Sequence, residues 1–400
     1  MSNKLLEPSQ GLPDPADDPS PLFQPLTIGR FQLKHRIVMA PLTRLRADGP
    51  NGIPNALMAE YYAQRATDGG LIIAEAAPID RIGRSHHACG AIDTDEAAHG
   101  WKRVTDAVHA RGGVIACQLW QCGRQASREA NGDQTPIAPS AIQAEGHPAP
   151  RAIEHDEYPD LVQRYVDAAK RAINIANFDL VEIHNANGYI LDQHLASFVN
   201  QRDDEFGGPD LENRMRFPYQ VVEGVVRAVG ADRTGLRLSP FGVFGDIDDA
   251  DRIKTYGTFM QRVAPLNLAY IHLVEPVPGH PQPHEGNTLP LSLETLREHY
   301  YPKGVIIGCG GYTPQRAVDA VRSRGIDAAA FGRWYISNPD IVYRIRNKLP
   351  FNAYHRETFY LVNDPKGYTD YDFADKTAKD AVAKVLASTE PTAKATAVKG

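Results

Sequence analysis

Three polar side chains follow an apolar stretch in the segment VEIHNANGY, which runs from Val181 to Tyr189. A continuous apolar run with β-branched residues is typical of a parallel strand that is covered on both faces. His184 and Asn187 can donate hydrogen bonds, and Tyr189 is a weak acid. Burying such groups costs free energy unless each finds a partner. The spacing therefore predicts a site that holds a carbonyl oxygen, on which negative charge develops, while a proton is delivered nearby.

The elements that must position these side chains are strand-like stretches with helical patterns between them. They cover residues 37–41, 71–76, 114–120, 180–186, 235–240, 270–275, 305–310 and 328–332. Such alternation allows a closed (β/α)8 barrel or an open doubly wound sheet. A doubly wound nucleotide fold should carry GxGxxG after its first strand, and no such pattern follows any of these strands. We therefore predict an α/β fold, a (β/α)8 TIM barrel, with its site at the C-terminal strand ends.

The helical patterns carry their own signals. Residues 160–176 repeat apolar side chains at three- and four-residue steps, which predicts one buried stripe. Thr313 before Pro314 is typical of an N-cap followed by proline at the first helical position. Pro218 lies inside the helix predicted over residues 212–229, where we expect a kink or a later start.

The ends of the predicted strands collect a small set of groups. In chain order these are Pro41, Leu42, Thr43, Glu75, Ala76, Gln118, Trp120, His184, Asn187, Tyr189, Arg237, Glu275, Gly310, Gly311, Gly332 and Arg333. The set has no lysine, which argues against a Schiff-base aldolase. It also has no cluster of carboxylates and histidines, which argues against a metal site.

Two glycine-containing turns follow the seventh and eighth strands. Barrels often bind phosphate there, and Gly310-Gly311 and Gly332-Arg333 would allow close backbone approach and add a guanidinium. Tight turns with a surface arginine are the alternative. Without lysine or metal, a phosphate-bearing organic cofactor would supply the electron sink. Thr43, Gln118 and Arg237 suit the edge of a planar heterocycle, although Gln118 as a satisfied amide and Arg237 paired with a protein carboxylate stay open.

Composition predicts one globular domain with two flexible ends. The chain has 400 residues, of which 42% are hydrophobic and 23% charged. Residues 1–20 are rich in proline and aspartate and read as a disordered lead-in. Residues 21–375 form the predicted barrel, and no linker divides them. Residues 376–400 are rich in alanine, lysine and threonine and read as a flexible tail that can begin as a helix.

Charge and cysteine content restrict the partners that we expect. The net charge of −6 gives no reason to expect nucleic acid, and no stretch is apolar enough to span a membrane. Neither a secretory signal nor a peroxisomal tripeptide is found. The four cysteines contain no CxxC pair, which favours reduced thiols. We expect a cytoplasmic protein.

At these positions the chain resembles the old yellow enzyme family of FMN-dependent ene-reductases, over residues 22–373. The resemblance rests on the motifs APLTR (40–44), QLW (118–120), VEIHNANGYILDQHL (181–195), NQRDDEFGG (200–208), ENRMRF (212–217), GLRLSPFGVF (235–244), GCGGY (308–312) and AFGRWYISNPD (330–340). The GGY and GRW details are closer to the plant oxophytodienoate reductases than to the yeast members.

The resemblance implies a (β/α)8 barrel with non-covalent FMN. It assigns Pro41, Leu42, Thr43, Ala76, Gln118, Arg237, Gly310, Gly311, Gly332 and Arg333 to the cofactor, with the last four at its phosphate. It assigns His184 and Asn187 to the substrate oxygen, Tyr189 to proton donation, and Trp120 and Tyr360 to the substrate pocket. Ala76 replaces a glycine that is common in the family. The Pro/His-rich loop over residues 278–285 also departs from the family pattern, and we expect this loop to affect substrate choice.

The resemblance also implies the reaction. NAD(P)H, with NADPH preferred, reduces FMN, and hydride then passes from flavin N5 to Cβ of an α,β-unsaturated carbonyl compound while Tyr189 protonates Cα. The protein is expected to be a monomer or a homodimer. The alternatives are a flavin-dependent enone isomerase or desaturase, a flavin-binding protein without physiological turnover, and a flavin-free barrel lyase.

Overall fold

The computed structural model describes residues 12–242, 244–245, 252–275 and 292–389. Eight parallel strands form a closed barrel, in which the last strand pairs with the first. They are β1 (Ile37–Met39), β2 (Leu71–Pro78), β3 (Val114–Trp120), β4 (Leu180–Asn185), β5 (Thr234–Leu238), β6 (Tyr270–Val274), β7 (Ile306–Cys309) and β8 (Ala328–Phe331). The predicted (β/α)8 barrel is confirmed. The loop predicted over residues 278–285 lies outside the described residues.

Helices follow the strands and surround the barrel. They are α1 (Ala56–Arg65), α2 (Asp95–His109), α3 (Arg128–Asn131), α4 (Tyr158–Asn174), α5 (Ile190–Leu195), α6 (Leu211–Val229), α7 (Arg252–Val263), α8 (Leu293–Tyr300), α9 (Pro314–Arg322), α10 (Arg333–Ser337), α11 (Ile341–Arg346) and α12 (Lys376–Thr389). Two small strand pairs lie outside the barrel, Leu26–Ile28 with Phe31–Leu33 and Ile137–Ala138 with Arg151–Ala152. In the part of the chain that the structure describes, no helix is both long and apolar enough to cross a membrane.

Hydrophobic patterning explains the layers. All residues of β2 are buried, as a strand between the barrel interior and a helix layer requires. The stripe predicted on α4 is confirmed, because Leu161, Tyr165, Ala168 and Ala172 are buried. These residues hold α4 against the barrel, behind the two strands that carry the candidate site.

Helix starts follow the capping signals of the sequence. The Thr313 hydroxyl accepts a hydrogen bond from the Arg316 N–H at 3.3 Å, and Pro314 is the first residue of α9, which confirms that prediction. The later start predicted for α6 is wrong. The Asp210 side chain accepts from the Glu212 N–H at 2.9 Å and caps the helix ahead of Pro218. A capped start and a buried apolar face outweigh the one helical hydrogen bond that proline cannot donate.

Parts of both predicted flexible ends pack on the barrel. Ala16 is buried, the Asp17 N–H donates to Gln315 Oε1 at 3.1 Å, and Asp18 pairs with Arg322 at 2.6 Å. Residues 376–389, which we predicted as tail, form α12, which packs against α1 and α2. Val382 is buried there. Residues 1–11 and 390–400 of those predictions lie outside the described residues.

Candidate active site

The turn that follows β4 brings the predicted polar trio to the barrel mouth. His184 is the second-last residue of β4, where it pairs in register with Arg237 on β5. The rings of His184 and Tyr189 meet edge to face with centroids 5.0 Å apart. The ring of Trp120, the last residue of β3, also meets that of Tyr189 edge to face, with centroids 5.1 Å apart. Asn187, between His184 and Tyr189 in the chain, lies in the left-handed region, with φ of 54°.

The backbone of this turn is held by side chains from several elements. The Asn187 N–H donates to Ser239 Oγ at 2.8 Å. The Gly188 N–H donates to Asp192 Oδ2 at 2.7 Å. The Gly188 carbonyl accepts from the side-chain amides of Gln125 and Gln193, at 2.5 and 2.8 Å. The turn is thus tied to the segment after β3, to the end of β5 and to α5.

A buried polar layer lies inside the barrel below the turn. Gln118 Nε2 donates to Glu182 Oε1 at 2.6 Å, and His272 Nδ1 donates to Glu182 Oε2 at 2.9 Å. The Glu182 and His272 side chains are both 0% exposed. Because the Gln118 side-chain N–H donates to Glu182, its amide oxygen remains as the acceptor at the strand end. Arg237 forms no direct ion pair within the described residues, but its charge acts on the Glu182 carboxylate and lowers the pKa of that group.

Burial and neighbouring charges set the protonation states. Burial, with help from Arg237, lowers the pKa of His184 well below its ordinary value, so the imidazole is neutral at pH 7. Burial raises the pKa of Tyr189, which keeps its hydroxyl protonated. Burial alone would raise the pKa of Glu182, but His272 and Arg237 outweigh it and lower that pKa. Glu182 in turn overcomes the burial of His272 and raises its pKa.

The first strands bring a second group of predicted residues to the same mouth. Pro41, Leu42 and Thr43 follow β1 and are half-buried. Ala76 on β2 is buried and pairs in register with Gln118 on β3. Ala76 also packs in one apolar cluster with Trp120 and Tyr189. The predicted cofactor edge and the predicted substrate groups therefore share one wall.

The glycine turns after β7 and β8 lie beside this mouth. Gly311 has φ of 70°, and Arg316 Nη1 donates to the carbonyls of Gly310 and Gly311 at 3.1 and 3.2 Å. A Cβ at Gly332 would lie 3.5 Å from Leu42. The backbone after β8 is therefore close to the segment after β1. Arg333 is half-buried and donates to the Tyr354 hydroxyl at 3.3 Å.

The rim of the mouth is more open. Tyr360 is 64% exposed, and it contributes to the raised pKa of Tyr189, so the two phenols face the same region. A cavity of about 720 Å³ is lined in part by Leu45, Ala88 and Gln125, whereas Tyr189 is not among its lining residues. Leu45 and Ala88 belong to the apolar cluster that packs on Tyr189. Cavities of this size commonly hold small molecules.

Several buried polar atoms at the mouth have no partner within the described ranges. They are His184 Nδ1, Trp120 Nε1 and Arg237 Nε. Buried polar groups are usually hydrogen-bonded, and a polar ligand at the mouth would give these three atoms the partners that they lack. The glycine turns provide room for a further anionic group close by. The donor set therefore fits a planar heterocycle that carries a phosphate.

Sequence reasoning missed the residues that support this site. Asp192, Ser239, Gln125 and the Glu182–His272 pair were given no role from the sequence, although Glu182, Asp192 and Ser239 lie inside motifs quoted above. A signal was nevertheless present, because Glu182 interrupts an apolar strand and Asp192 lies in a helix whose residues are all buried. A charged residue in such a place requires a partner.

The chain is similar in sequence to a known family and to individual proteins. The sequence model of the NADH:flavin oxidoreductase / NADH oxidase family matches residues 21–352. A flavin oxidoreductase of Emericella nidulans is 40% identical over 383 residues, which cover 88% of this chain and 98% of the relative. The 12-oxophytodienoate reductase 7 of Oryza sativa subsp. japonica is also 40% identical over 383 residues, covering 88% of this chain and 95% of the relative.

The chain is also similar to a solved structure. The old yellow enzyme homologue from Zymomonas mobilis superposes with a TM-score of 0.82 at 37% identity, covering 88% of this chain and 99% of that chain. The likeness therefore extends over the whole barrel and includes the strand ends that carry the site.

Proposed function

The chain belongs to the NADH:flavin oxidoreductase / NADH oxidase family, and from this premise we propose that it reduces the carbon–carbon double bond of α,β-unsaturated carbonyl compounds. It is an oxidoreductase of the old yellow enzyme type, and the family implies FMN as its cofactor. NADPH is the proposed reductant. The observation that carries the proposal is the edge-to-face contact of His184 with Tyr189, 5.0 Å between ring centroids, beside an unpaired buried His184 nitrogen.

The strand ends fit the cofactor by the chemistry of their donors. We assign the flavin ring to Pro41, Leu42, Thr43, Ala76, Gln118 and Arg237, and its phosphate to Gly310, Gly311, Gly332 and Arg333. The chemistry that bound FMN supplies is hydride transfer, from NADPH to the flavin and from flavin N5 to Cβ of the substrate. The Gln118 amide oxygen, fixed by Glu182, suits a ring N–H donor, and the Arg237 cation suits the edge where negative charge develops.

The residues of the turn act on the substrate. His184 is neutral, so it donates one N–H to the carbonyl oxygen without adding a charge. Asn187 donates a second hydrogen bond, and together they stabilise the negative charge that develops on that oxygen. Tyr189 remains protonated and delivers its proton to Cα. We assign Trp120, whose ring contacts that of Tyr189, and Tyr360 to the substrate pocket.

Substitutions in the turn test these roles. We expect His184→Ala to slow reduction of cyclohexenone by roughly a hundredfold or more, the usual loss for an oxyanion donor. Tyr189→Phe should cost less, because water can partly replace the proton donor. Stopped-flow spectroscopy of flavin reoxidation by the enone, after anaerobic reduction with NADPH, measures this step alone.

A matched control separates chemistry from folding. His194 is also buried, with its Nε2 3.1 Å from the Tyr158 hydroxyl, but it does not reach the mouth. His194→Asn should therefore keep the rate of flavin reoxidation. An unchanged rate in His184→Ala would contradict the assigned role. Purified protein that takes up no FMN would overturn the flavin assignment, and analysis of the enone product would show whether reduction or isomerisation occurs.

A further inference from the structure

We propose that Asp192 is the positioning residue of this site: its carboxylate fixes the turn over residues 186–189 and thereby sets where Asn187 and Tyr189 meet the substrate. The proposal rests on the proposed function for its catalytic consequence. Asp192 is 1% exposed and lies on α5, one helical turn after Tyr189. Its hydrogen-bond partners are Gly188, Ser239 and Tyr256, so we expect it to act on the substrate through the turn.

The turn needs an external support because of its backbone. Asn187 and Gly188 have φ of 54° and 74°, two left-handed residues in succession. Glycine adopts this conformation without strain, whereas for Asn187 it costs free energy that the surroundings must offset. A Cβ at Gly188 would lie 2.5 Å from the Phe244 carbonyl and 2.9 Å from Gln125 Nε2. The space beside Gly188 is thus closed by the Phe244 carbonyl and by Gln125, which also donates to the Gly188 carbonyl.

Asp192 supplies the acceptors that this backbone requires. Its Oδ2 accepts the Gly188 N–H at 2.7 Å and lies 3.4 Å from the Ser239 hydroxyl. Ser239 Oγ in turn accepts the Asn187 N–H at 2.8 Å. The same carboxylate oxygen therefore holds the Gly188 N–H directly and the Asn187 N–H through the Ser239 hydroxyl.

The other carboxylate oxygen anchors this arrangement to α7. Tyr256 donates its hydroxyl to Asp192 Oδ1, and Arg252 donates to the same hydroxyl at 2.7 Å and to the Ser239 carbonyl at 3.0 Å. Arg252 and Tyr256 from α7 are the charged and titratable groups that face Asp192 across this contact. Arg124 approaches the neighbouring backbone from the segment after β3, where it donates to the Gly245 carbonyl at 2.7 Å. Asp192 therefore joins α5, β5 and α7 behind the turn.

Two variants of Asp192 test the proposal. Asp192→Ala removes both acceptors, and we expect flavin reoxidation by cyclohexenone to slow roughly a hundredfold, the loss that a misplacement of about 1 Å can cause. Asp192→Asn retains one acceptor oxygen for Gly188 and should recover part of that rate. The FMN content should change less than twofold, because the flavin is assigned to other residues. A merely structural role would lower the FMN content together with the rate.

Hydrogen exchange gives a readout that does not depend on turnover. Amide exchange over residues 187–190, followed by mass spectrometry, should accelerate roughly tenfold in Asp192→Ala, as expected for one lost hydrogen bond. Asp179→Asn is the control, since Asp179 precedes the same strand at its opposite end and accepts the Ile115 N–H at 2.8 Å. It should leave both the exchange in the turn and flavin reoxidation unchanged.

The outcomes separate the two proposals. If the wild-type protein reduces no enone, the proposed function fails, and the exchange experiment still decides whether Asp192 holds the turn. If Asp192→Ala and Asp192→Asn reoxidise at the wild-type rate with unchanged exchange, Asp192 is not the positioning residue. If Asp192→Ala does not fold, Asp192→Asn decides by the same two measurements.

Discussion

At the scale of single residues, the Glu182–His272 pair is the most demanding feature of the barrel interior. Both side chains are fully buried, and their hydrogen bond is 2.9 Å long. Removing one partner of such a pair leaves a buried group without compensation, which is strongly destabilising. Glu182 also fixes the Gln118 amide, so the pair determines which atom Gln118 presents at the strand end. The stability of the barrel and the orientation of Gln118 therefore depend on the same carboxylate.

We expect Glu182→Gln to lower the free energy of unfolding by about 3–5 kcal/mol. Urea denaturation measures this loss, and a double-mutant cycle with His272→Asn isolates the coupling between the two residues. Asp179→Asn provides the comparison, because it breaks a carboxylate–histidine contact to His109 that is partly exposed and also 2.9 Å long. That variant should lose only about 1 kcal/mol. Equal losses in the two variants would contradict a special contribution of the buried pair.

The coupling should depend on pH in a defined window. The lowered pKa of Glu182 makes its contribution complete above the ordinary value of 4.5 and lost as pH falls through the pKa of the folded state. The raised pKa of His272 makes its contribution complete below 6.5 and lost as pH rises through the pKa of the folded state. The coupling energy should therefore be largest between pH 4.5 and 6.5.

At the scale of elements, the turn between β7 and α9 is shaped by the helix that follows it. Arg316 on α9 donates to the carbonyls of Gly310 and Gly311 and lies 3.3 Å from Glu275 after β6. These contacts turn the carbonyls toward the helix. A fixed turn of this kind would be preorganised for the phosphate that we assign to it, and preorganisation reduces the ordering that binding requires.

We expect Arg316→Gln to weaken the affinity for FMN roughly tenfold, which corresponds to about 1.4 kcal/mol. Titration of the apoprotein with FMN, followed by flavin fluorescence, measures this change. Arg322→Gln is the matched control on the same helix, because Arg322 pairs with Asp18 at 2.6 Å and does not touch the glycine turn. An Arg316→Gln protein that binds FMN as tightly as the control would show that the turn needs no such support.

Sequence patterns predicted the strands and helices better than the side-chain contacts that hold the site in place. The eight strands, the stripe on α4 and the Thr313 cap depend on neighbours in sequence, so periodicity and capping rules were sufficient. The expectation that Pro218 delays the start of α6 was wrong, because Asp210 caps the helix ahead of it. The Asp192 contacts could not be predicted, since Asp192 and Tyr256 lie 64 positions apart. Only the closed barrel brings such residues together.

At the scale of the whole molecule, the site and the stability of the fold make opposite demands on Asp192. The turn requires an ionised carboxylate with several acceptor positions, whereas burial favours the neutral acid. Burial raises the pKa of Asp192 to about 6, although Arg252 opposes the shift. Active sites often retain groups that are unfavourable for stability because function requires them.

The stability of the whole protein should therefore respond to this one group. Because the pKa of Asp192 is higher in the folded state than its ordinary value of 3.8, the folded state binds more protons between these values. The contribution of Asp192 to the free energy of unfolding should fall as pH rises from about 4 to about 6, by about 3 kcal/mol. Asp192→Asn cannot titrate, so its stability relative to wild type should rise over the same interval. Urea denaturation of both proteins from pH 4 to pH 7 measures the difference.

The comparison isolates Asp192 from other buried acids. Glu75 and Glu275 also have their pKa values raised by burial, each to about 7, but they are present in both proteins and cancel in the difference. Asp192→Ala should show the same pH dependence as Asp192→Asn, with a lower stability at every pH. A wild-type protein that gains stability relative to Asp192→Asn as pH rises would mean that the folded state prefers the carboxylate. The turn would then be held at no cost to the fold, and the opposition between site and stability would not exist.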